Sequence, residues 1–403
     1  MRSRSIRQNL LVRGDGHAGS VTGFLLAVSA FFVAMVGTTL PTPLYPLYEQ
    51  RYSFGPLLVT VIFAIYAFGV IGGLILFGNL SDRIGRKPVL LLGLVLSAAS
   101  ALLFLFADSL APIYVARVVS GLSAGIFTGT ATAYVIDLAP AGRRRLASFV
   151  AVFANLGGLG TGTLLSGLLG QWAPHALRTP FAVDLGLVVV ATAGLLLVPE
   201  TVPRQAFSFR LQRLGVPAEV VSVFVRAALA GVAAFAVSGV FSSVAPEFLG
   251  VGLHHHSPAL AGMLVFFLFV MSVAGQALVL RLSNALAAGC GLLVAGVALL
   301  AVALAADSLT ALFASAAVGG LGQGVVVSAG LAAIAERAPA ERRGETASSF
   351  FVVLYLGLSI PVIAAGVAIH FTSLRAAGIG FCAGAGALAL AVLVSLLGSR
   401  APT

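Results

Sequence analysis

Long apolar runs separated by short polar loops fill this chain. A helix that crosses a bilayer needs about 20 mostly apolar residues. Twelve such runs can be read, at residues 21–45, 56–79, 88–107, 111–137, 146–171, 180–198, 221–246, 258–281, 286–306, 309–334, 347–370 and 376–398. The longest polar interruption covers residues 199–220 and divides the runs six and six. The pattern therefore predicts an all-α membrane protein. Its expected parts are a tail at 1–20, a six-helix bundle at 21–198, a central loop at 199–220 and a second six-helix bundle at 221–398.

Composition agrees with that pattern. Of 403 residues, 59% are hydrophobic and only 9% are charged, against roughly 25% charged in soluble domains. The net charge is +10 and the pI about 10.6. In a soluble chain this would suggest nucleic-acid binding. Here the basic residues fall in short loops with no aromatic-interleaved patch, so no nucleic-acid partner is expected. Cys290 and Cys382 lie inside apolar runs and read as small hydrophobic residues, not as a disulfide or metal pair. No metal site and no cofactor are expected. The basic N-terminal stretch lacks a small-residue cleavage site, so the first run reads as a retained spanning helix.

The placement of Lys and Arg gives an orientation. Arg2, Arg4, Arg7 and Arg13 precede the first run. Arg83, Arg86 and Lys87 follow the second, and Arg143, Arg144 and Arg145 the fourth. Arg204, Arg210 and Arg213 follow the sixth, Arg281 the eighth, Arg337, Arg342 and Arg343 the tenth, and Arg400 the twelfth. The other face carries only Arg51, Arg178 and Arg375. Both termini are expected in the cytoplasm of a multi-pass plasma-membrane protein.

The halves echo each other. ADSLAPIYVARVVSGLSAGIFTGTATAYVIDLAPAGRRR is matched by ADSLTALFASAAVGGLGQGVVVSAGLAAIAERAPAERRG. Asp108 aligns with Asp307, Gly121 with Gly320, Gly125 with Gly324, Asp137 with Glu336, and Ala139-Pro140 with Ala338-Pro339. Such internal repeats are common in secondary transporters.

The loop after the second run reads GNLSDRIGRK, Gly78 to Lys87. Gly78 permits close helix approach. Asp82 is an acid that the N-terminal dipole of a neighbouring helix could hold. Gly85 makes a turn, and Arg86 presents a planar fork to a carboxylate, with Asp137 a candidate partner. This loop resembles the loop 2–3 motif of the major facilitator superfamily. The resemblance implies that fold, with two pseudo-symmetric bundles, and a latch made by Gly78, Asp82, Arg83, Gly85, Arg86 and Asp137. The counterpart in the second half, LRLSNALAAG, has Asn284 in place of the acid.

Further resemblances point to the twelve-helix drug:proton antiporter branch. Arg117 in IYVARVVSGLSAG matches the helix 4 arginine of family antiporters, with Ser120 where glutamine is frequent. A membrane-embedded arginine is costly and usually faces a cavity or a partner. Arg117 is expected about two turns inside its helix; the alternative is an arginine that snorkels outward. VGTTLPTPLYP places Val36, Gly37, Pro43 and Pro46 at the spacing of an exporter motif, and the prolines should kink or end the helix. GLGTGTLLSG resembles the antiporter glycine motif. Gly158, Gly162 and Gly167 fit it, while Thr163 stands in place of the proline and Ser166 in place of a glycine. Helix packing explains those glycines almost as well. Pro361 is the candidate break in the other half.

The fold so implied puts runs 1, 4, 7 and 10 around a cavity, with help from 2, 5, 8 and 11. The coupling and cavity candidates are Arg117, Ser120, Gly121, Pro43, Pro46, Asn155, Gly158 and Gly162. The substrate-contact candidates are Met35, Thr38, Tyr66, Phe235, Ser238, Gln276, Gln323 and Tyr355, with Ser123 nearby. No central carboxylate lies on the cavity runs, which suits a lipophilic or amphipathic, even anionic, small molecule. Asp184, Glu49, Glu247 and His370 are the remaining titratable groups near the runs, and none stands out as a proton carrier. His254-His255-His256 reads as a solvated loop, with metal or pH sensing the alternative.

The expected function is proton-coupled efflux of a drug or secondary metabolite by a monomer in the bilayer. The alternative is uptake of a sugar or organic acid, although no sugar-porter signature is present. A membrane-embedded enzyme would need clustered His, Asp or Glu, and the acids are scattered.

Overall fold

The computed structural model describes residues 21–203 and 211–398. Arg2, Arg4, Arg7, Arg13, Arg204, Arg210 and Arg400, on which part of the charge asymmetry rests, lie outside the described residues. Twelve described segments are long and apolar enough to cross a membrane. They are α1 (Val21–Tyr52), α2 (Pro56–Phe77), α3 (Arg86–Leu105), α4 (Leu110–Asp137), α5 (Arg144–Trp172), α6 (Thr179–Leu196), α7 (Ala218–Ser243), α8 (Pro258–Arg281), α9 (Ala285–Ala306), α10 (Leu309–Arg337), α11 (Ala340–Phe371) and α12 (Leu374–Gly398). No strand occurs among the described residues. Below, the end that carries Gly78–Lys87 is called the basic end, and the other the far end.

Helical spans follow from the solvent, because lipid offers nothing to an unpaired N–H or C=O. Their starts follow from local chemistry. Pro56, Pro180 and Pro258 sit in first turns, where the missing N–H is not needed. The Ser257 and Ser308 hydroxyls accept from Leu260 N and Ala311 N, each 3.2 Å, and cap α8 and α10.

Of the proline expectations, the first holds as a kink and not as an end, and the second is corrected. Pro43 and Pro46 redirect α1 without ending it. The helix tightens into a 3-10 turn at Thr42–Leu44 and resumes from Tyr45 to Tyr52. Pro46 falls in the first turn of the resumed helix, where it costs no hydrogen bond. In α11, the helix Arg343–Phe371 runs through Pro361 unbroken. One missing donor leaves the rest of that ladder intact.

The glycines of the repeat do the same job in both halves. Gly121 and Gly125 of α4 bring the helix backbone against Gly69 and Gly73 of α2. Gly320 and Gly324 of α10 lie against the backbone carbonyls of Leu268 and Ser272 in α8. Without lipid-excluding force between helices, such close approach is a main source of cohesion. The halves meet through α2 on α11 and α5 on α8. At the far end Gly167 faces Gly262, Gly366 faces Thr60, and Thr163 Oγ1 lies 3.2 Å from the Gly262 carbonyl. At the basic end the polypeptide at 211–215 bridges the halves: Gln212 N donates to Ile75 O (2.8 Å) and Gly215 N donates to Ser349 Oγ (2.9 Å).

Candidate functional site

The basic end holds a compact ionic cluster. Arg86 is the first residue of α3, and its side chain reaches two carboxylates. Nε donates to Asp137 Oδ2 at 2.6 Å and Nη1 donates to Asp82 Oδ1 at 2.9 Å. Asp137 ends α4, so this fork joins α3, α4 and the loop. Asp82 is largely exposed. Arg83 is half-buried on the same turn. Gly78 adjoins Gln212, and Gly85 holds φ +107°, a conformation that favours glycine.

The carboxylate on the α3 N-terminus is Glu200, not Asp82. Glu200 Oε1 accepts from Arg86 N (2.9 Å) and Oε2 from Lys87 N (3.0 Å). It also accepts from the N–H groups of Thr201 and Val202. Four donors at a positive helix end make a strong anion cradle. Lys87 Nζ donates in return to the Leu196 and Val198 carbonyls after α6. Asp82, expected to be held by a helix dipole, bonds a guanidinium instead. Sequence reading missed Glu200, and the signal was the Pro-Glu-Thr that directly follows the sixth apolar run. In the second half, Asn284 precedes α9 without a side-chain capping bond.

Arg117 lies deep in the first half at 1% exposure. Its Nη1 donates to Thr38 O (2.8 Å), Nε to Ile62 O (3.2 Å) and Nη2 to Phe63 O (3.5 Å). The guanidinium stands 4.5 Å from the Tyr66 ring centre and 5.9 Å from that of Phe63. Carbonyl oxygens keep a second lone pair after helix bonding, so α1 and α2 accept this cation without a carboxylate. None of the ion pairs among the described residues includes Arg117.

A cavity of about 450 Å³ lies between the halves. It is lined by Thr38, Tyr66, Arg117, Asn155, Phe235, Ser238, Gln276, Gln323 and Tyr355 among others, and the lining holds no Asp or Glu. The Phe235 and Tyr355 rings meet edge to face with centres 5.5 Å apart. The Ser272 hydroxyl bonds the Gln323 amide oxygen. Wide π-type turns at Phe127–Ala131 in α4 and Phe153–Gly157 in α5 present Thr128 and Asn155 to the space. Such turns recur at functional sites, and no periodicity along the chain marks them. Thr128 and Phe351 also line a second hollow of about 590 Å³ at the basic end, beside Asp82 and Arg86. The two hollows thus share Thr128 and Phe351, while helix contacts pack the far end.

Other sequence candidates lie elsewhere. Met35 is buried at 1% exposure and packs against Gly158, whose added Cβ would stand 2.6 Å from the Met35 Cβ. It is a packing residue because α5 approaches α1 too closely to leave it cavity space. Gly158 and Gly162 serve that same approach. Ser123 Oγ donates to Gly93 O (2.8 Å) and ties α4 to α3. Ser120 Oγ donates to Arg117 O, and Ser120 faces a separate small pocket with Asp184. Pro43 is buried and Pro46 half-buried, and neither lines the cavity. At the far end the Glu49 and Glu247 carboxyls face each other across the seam between the halves. Burial raises the Glu247 pKa above the ordinary carboxylate range, with Glu49 acting in the opposite sense. His254, His255 and His256 are exposed, and among the described residues no three His, Cys, Asp or Glu are grouped to hold a metal ion.

The family model of the Major Facilitator Superfamily matches residues 27–288. The chain belongs to the major facilitator superfamily. Among curated relatives, the class B tetracycline resistance protein of Escherichia coli is 34% identical over 131 residues, 32% of this chain and 31% of that protein. Multidrug resistance protein 2 of Bacillus subtilis (strain 168) is 27% identical over 182 residues, 44% of each chain. The matches therefore span less than half the length of those relatives. A bacterial homologue of the human lysosomal transporter Spinster, solved inward-facing and unoccupied, superposes with TM-score 0.73 at 15% identity, over 96% of this chain and all of that one. As a member of this superfamily, the chain is a multi-pass membrane protein with the fold of its transporters.

Proposed function

We propose that this protein is a proton-coupled exporter of small lipophilic or amphipathic compounds, working by alternating access. The cavity between the halves carries this reading. Its volume of about 450 Å³ suits a drug-sized molecule. Its lining is aromatic, hydroxyl and amide, with one buried cation, Arg117, and no acid. Such a wall favours neutral or anionic amphiphiles over sugars, whose many hydroxyls need many polar partners. The names of the tetracycline and multidrug resistance relatives support export.

Arg and Lys at the basic end assign that face to the cytoplasm, with both termini there, by the positive-inside rule. In this reading the chain is a plasma-membrane monomer seen with its cavity open toward the cytoplasm. Residues 21–198 and 221–398 are the two rocking bundles. The Arg86–Asp137–Asp82 cluster, with Glu200, is the latch on the first bundle. Thr38, Tyr66, Arg117, Phe235, Ser238, Gln276, Gln323 and Tyr355 contact the substrate.

The test is resistance. A bacterial host stripped of its own exporters, expressing this gene, is challenged with a panel that includes tetracycline and neutral and anionic dyes. Raised tolerance to at least one amphiphile, lost with Arg117→Ala, supports export. Tolerance unchanged across the panel, with restored growth on a transported sugar instead, overturns it.

A further inference from the structure

Among the described residues, Asp184 is a buried acid inside a spanning helix that belongs to neither the basic-end cluster nor the central cavity. It lies early in α6 at 2% exposure, and its Oδ1 has no hydrogen-bond partner. It faces a tight pocket formed with Thr38, Ser97, Ser100 and Ser120, closed by Phe104 and Phe181. The pocket is too narrow to admit a water-sized sphere. Gly37 makes room for the carboxyl, since an added Cβ would stand 2.8 Å from Asp184 Oδ2.

Three of the four hydroxyl groups of this wall, all but that of Ser97, donate to backbone carbonyls. Thr38 donates to Met35 O (2.7 Å), Ser100 to Ala116 O (2.9 Å) and Ser120 to Arg117 O (3.1 Å). Those oxygens have only lone pairs to offer the pocket, and an ionised carboxylate also has only lone pairs. With only the Ser97 hydroxyl left to donate, a dry pocket rich in acceptors suits a neutral carboxyl, which has an O–H to give, better than a carboxylate.

The pocket also lies between two larger spaces. Phe104 lines it and lines an open basin at the far end, with Arg51, His175 and Arg178. The Phe104 and Phe181 rings stack 4.6 Å apart between the two. On the other side Thr38 lines both the pocket and the central cavity, and its carbonyl holds Arg117.

We propose that Asp184 is the coupling-proton site, taking one proton from the far-end basin and releasing it toward the central cavity past Thr38. This rests on the proton-coupled reading above. Uptake converts the carboxylate to a carboxyl when the Phe104–Phe181 pair parts and water from the basin reaches it. Release returns the proton to water of the central cavity and leaves the carboxylate. The surroundings bear few other charges. α6 packs on α1, α3 and α5. The facing stretch of α1, Val21–Thr39, and the stretch Gly158–Trp172 of α5 carry no titratable side chain. α3 carries Arg86 and Lys87 at its basic end, both engaged there. The Arg117 guanidinium is held from the pocket side by the Thr38 carbonyl, and Arg51, His175 and Arg178 stand in the basin beyond Phe104.

The experiment is infrared difference spectroscopy of the full chain in lipid nanodiscs, titrated from about pH 4 to about pH 9, with carbon-13 aspartate to mark carboxyl bands. The expected result is a protonated-carboxyl band that titrates in the wild type, is lost in Asp184→Asn and returns in Asp184→Glu. A spectrum in which Asp184→Asn leaves every titrating aspartate band in place overturns the proposal. So does a band that responds to sodium at fixed pH. Should Asp184→Asn fail to fold, the Asp184→Glu shift of the wild-type band decides the same question. A second arm reconstitutes the wild type in liposomes. Titration of Asp184 together with transport indifferent to pH would refute proton coupling while leaving a proton-binding acid at this position. Transport driven by pH with an untitrating Asp184 would refute only this site.

Discussion

Arg86 and Asp137 meet at 2.6 Å, joining the first residue of α3 to the last of α4, while the same guanidinium reaches Asp82 at 2.9 Å. The two carboxylates are unequal. Asp82 is nearly two-thirds exposed and Asp137 less than one-third. Exposed pairs contribute about 0–1 kcal/mol. Double-mutant cycles by thermal unfolding in detergent should give a coupling of about 1 kcal/mol for Arg86–Asp137 and close to none for Arg86–Asp82. Asp82→Asn should nonetheless abolish transport with membrane insertion intact, since the proposed latch acts through conformation and not through stability. Equal couplings, or full transport in Asp82→Asn, would contradict this division.

Glu200 holds four backbone N–H groups at the start of α3 and the end of α6. Glu200→Ala leaves those donors without their carboxylate. Loss of an N-terminal cap costs about 0.5–2 kcal/mol, and the cost here should fall at the upper end. Glu200→Gln should recover part of it, since one amide oxygen still accepts. Thermal unfolding midpoints of the two variants check the order.

These two residues also mark where the chain was readable. The twelve spans, the repeat and the loop Gly78–Lys87 are visible because lipid imposes long apolar runs and because short loops keep their charges. Asp137 could be paired with Arg86 because each sits at a helix end next to a charged loop. Glu200 lies 114 residues from Arg86 and its role depends on two helices ending side by side, which no local pattern encodes. Asp184 was visible as an acid, yet its significance depends on which way Thr38, Ser100 and Ser120 have spent their hydroxyl protons. The continuation of α1 to Tyr52 was hidden because Pro43 and Pro46 look like stops, and only the 3-10 turn between them shows a redirection.

Arg117 is satisfied by three carbonyls and an aromatic face. Arg117→Ala should destabilise the fold by about 3 kcal/mol, the scale of a lost hydrogen-bonded buried charge, and eliminate transport. Arg117→Lys keeps the charge but cannot span three acceptors with the same fork, so transport should fall while the unfolding midpoint recovers in part. Size-exclusion profiles separate misfolding from lost activity. Full transport in Arg117→Ala would refute its assigned role.

Glu49 and Glu247 face each other at the far-end seam, where two neighbouring carboxyls are best accommodated when they share a proton. The folded pKa of Glu247 is raised by burial above its unfolded value of about 4.3. The stabilisation is therefore complete below the unfolded pKa and disappears as pH rises through the folded one. Unfolding midpoints measured from about pH 4 to about pH 8 should decline with rising pH, and Glu247→Gln should flatten that slope. An unchanged slope in Glu247→Gln would rule out the pair as its source.

The central claim is that export of an amphiphile is driven by protons moving the other way. The direct measurement uses the purified protein in liposomes, with tetracycline as the probe and an imposed pH gradient as the only driving force. Tetracycline should move against its gradient toward the acidic side, collapse of the gradient by a protonophore should stop it, and Asp184→Asn should leave only passive exchange. Transport of the same rate and extent with and without the gradient would contradict the account.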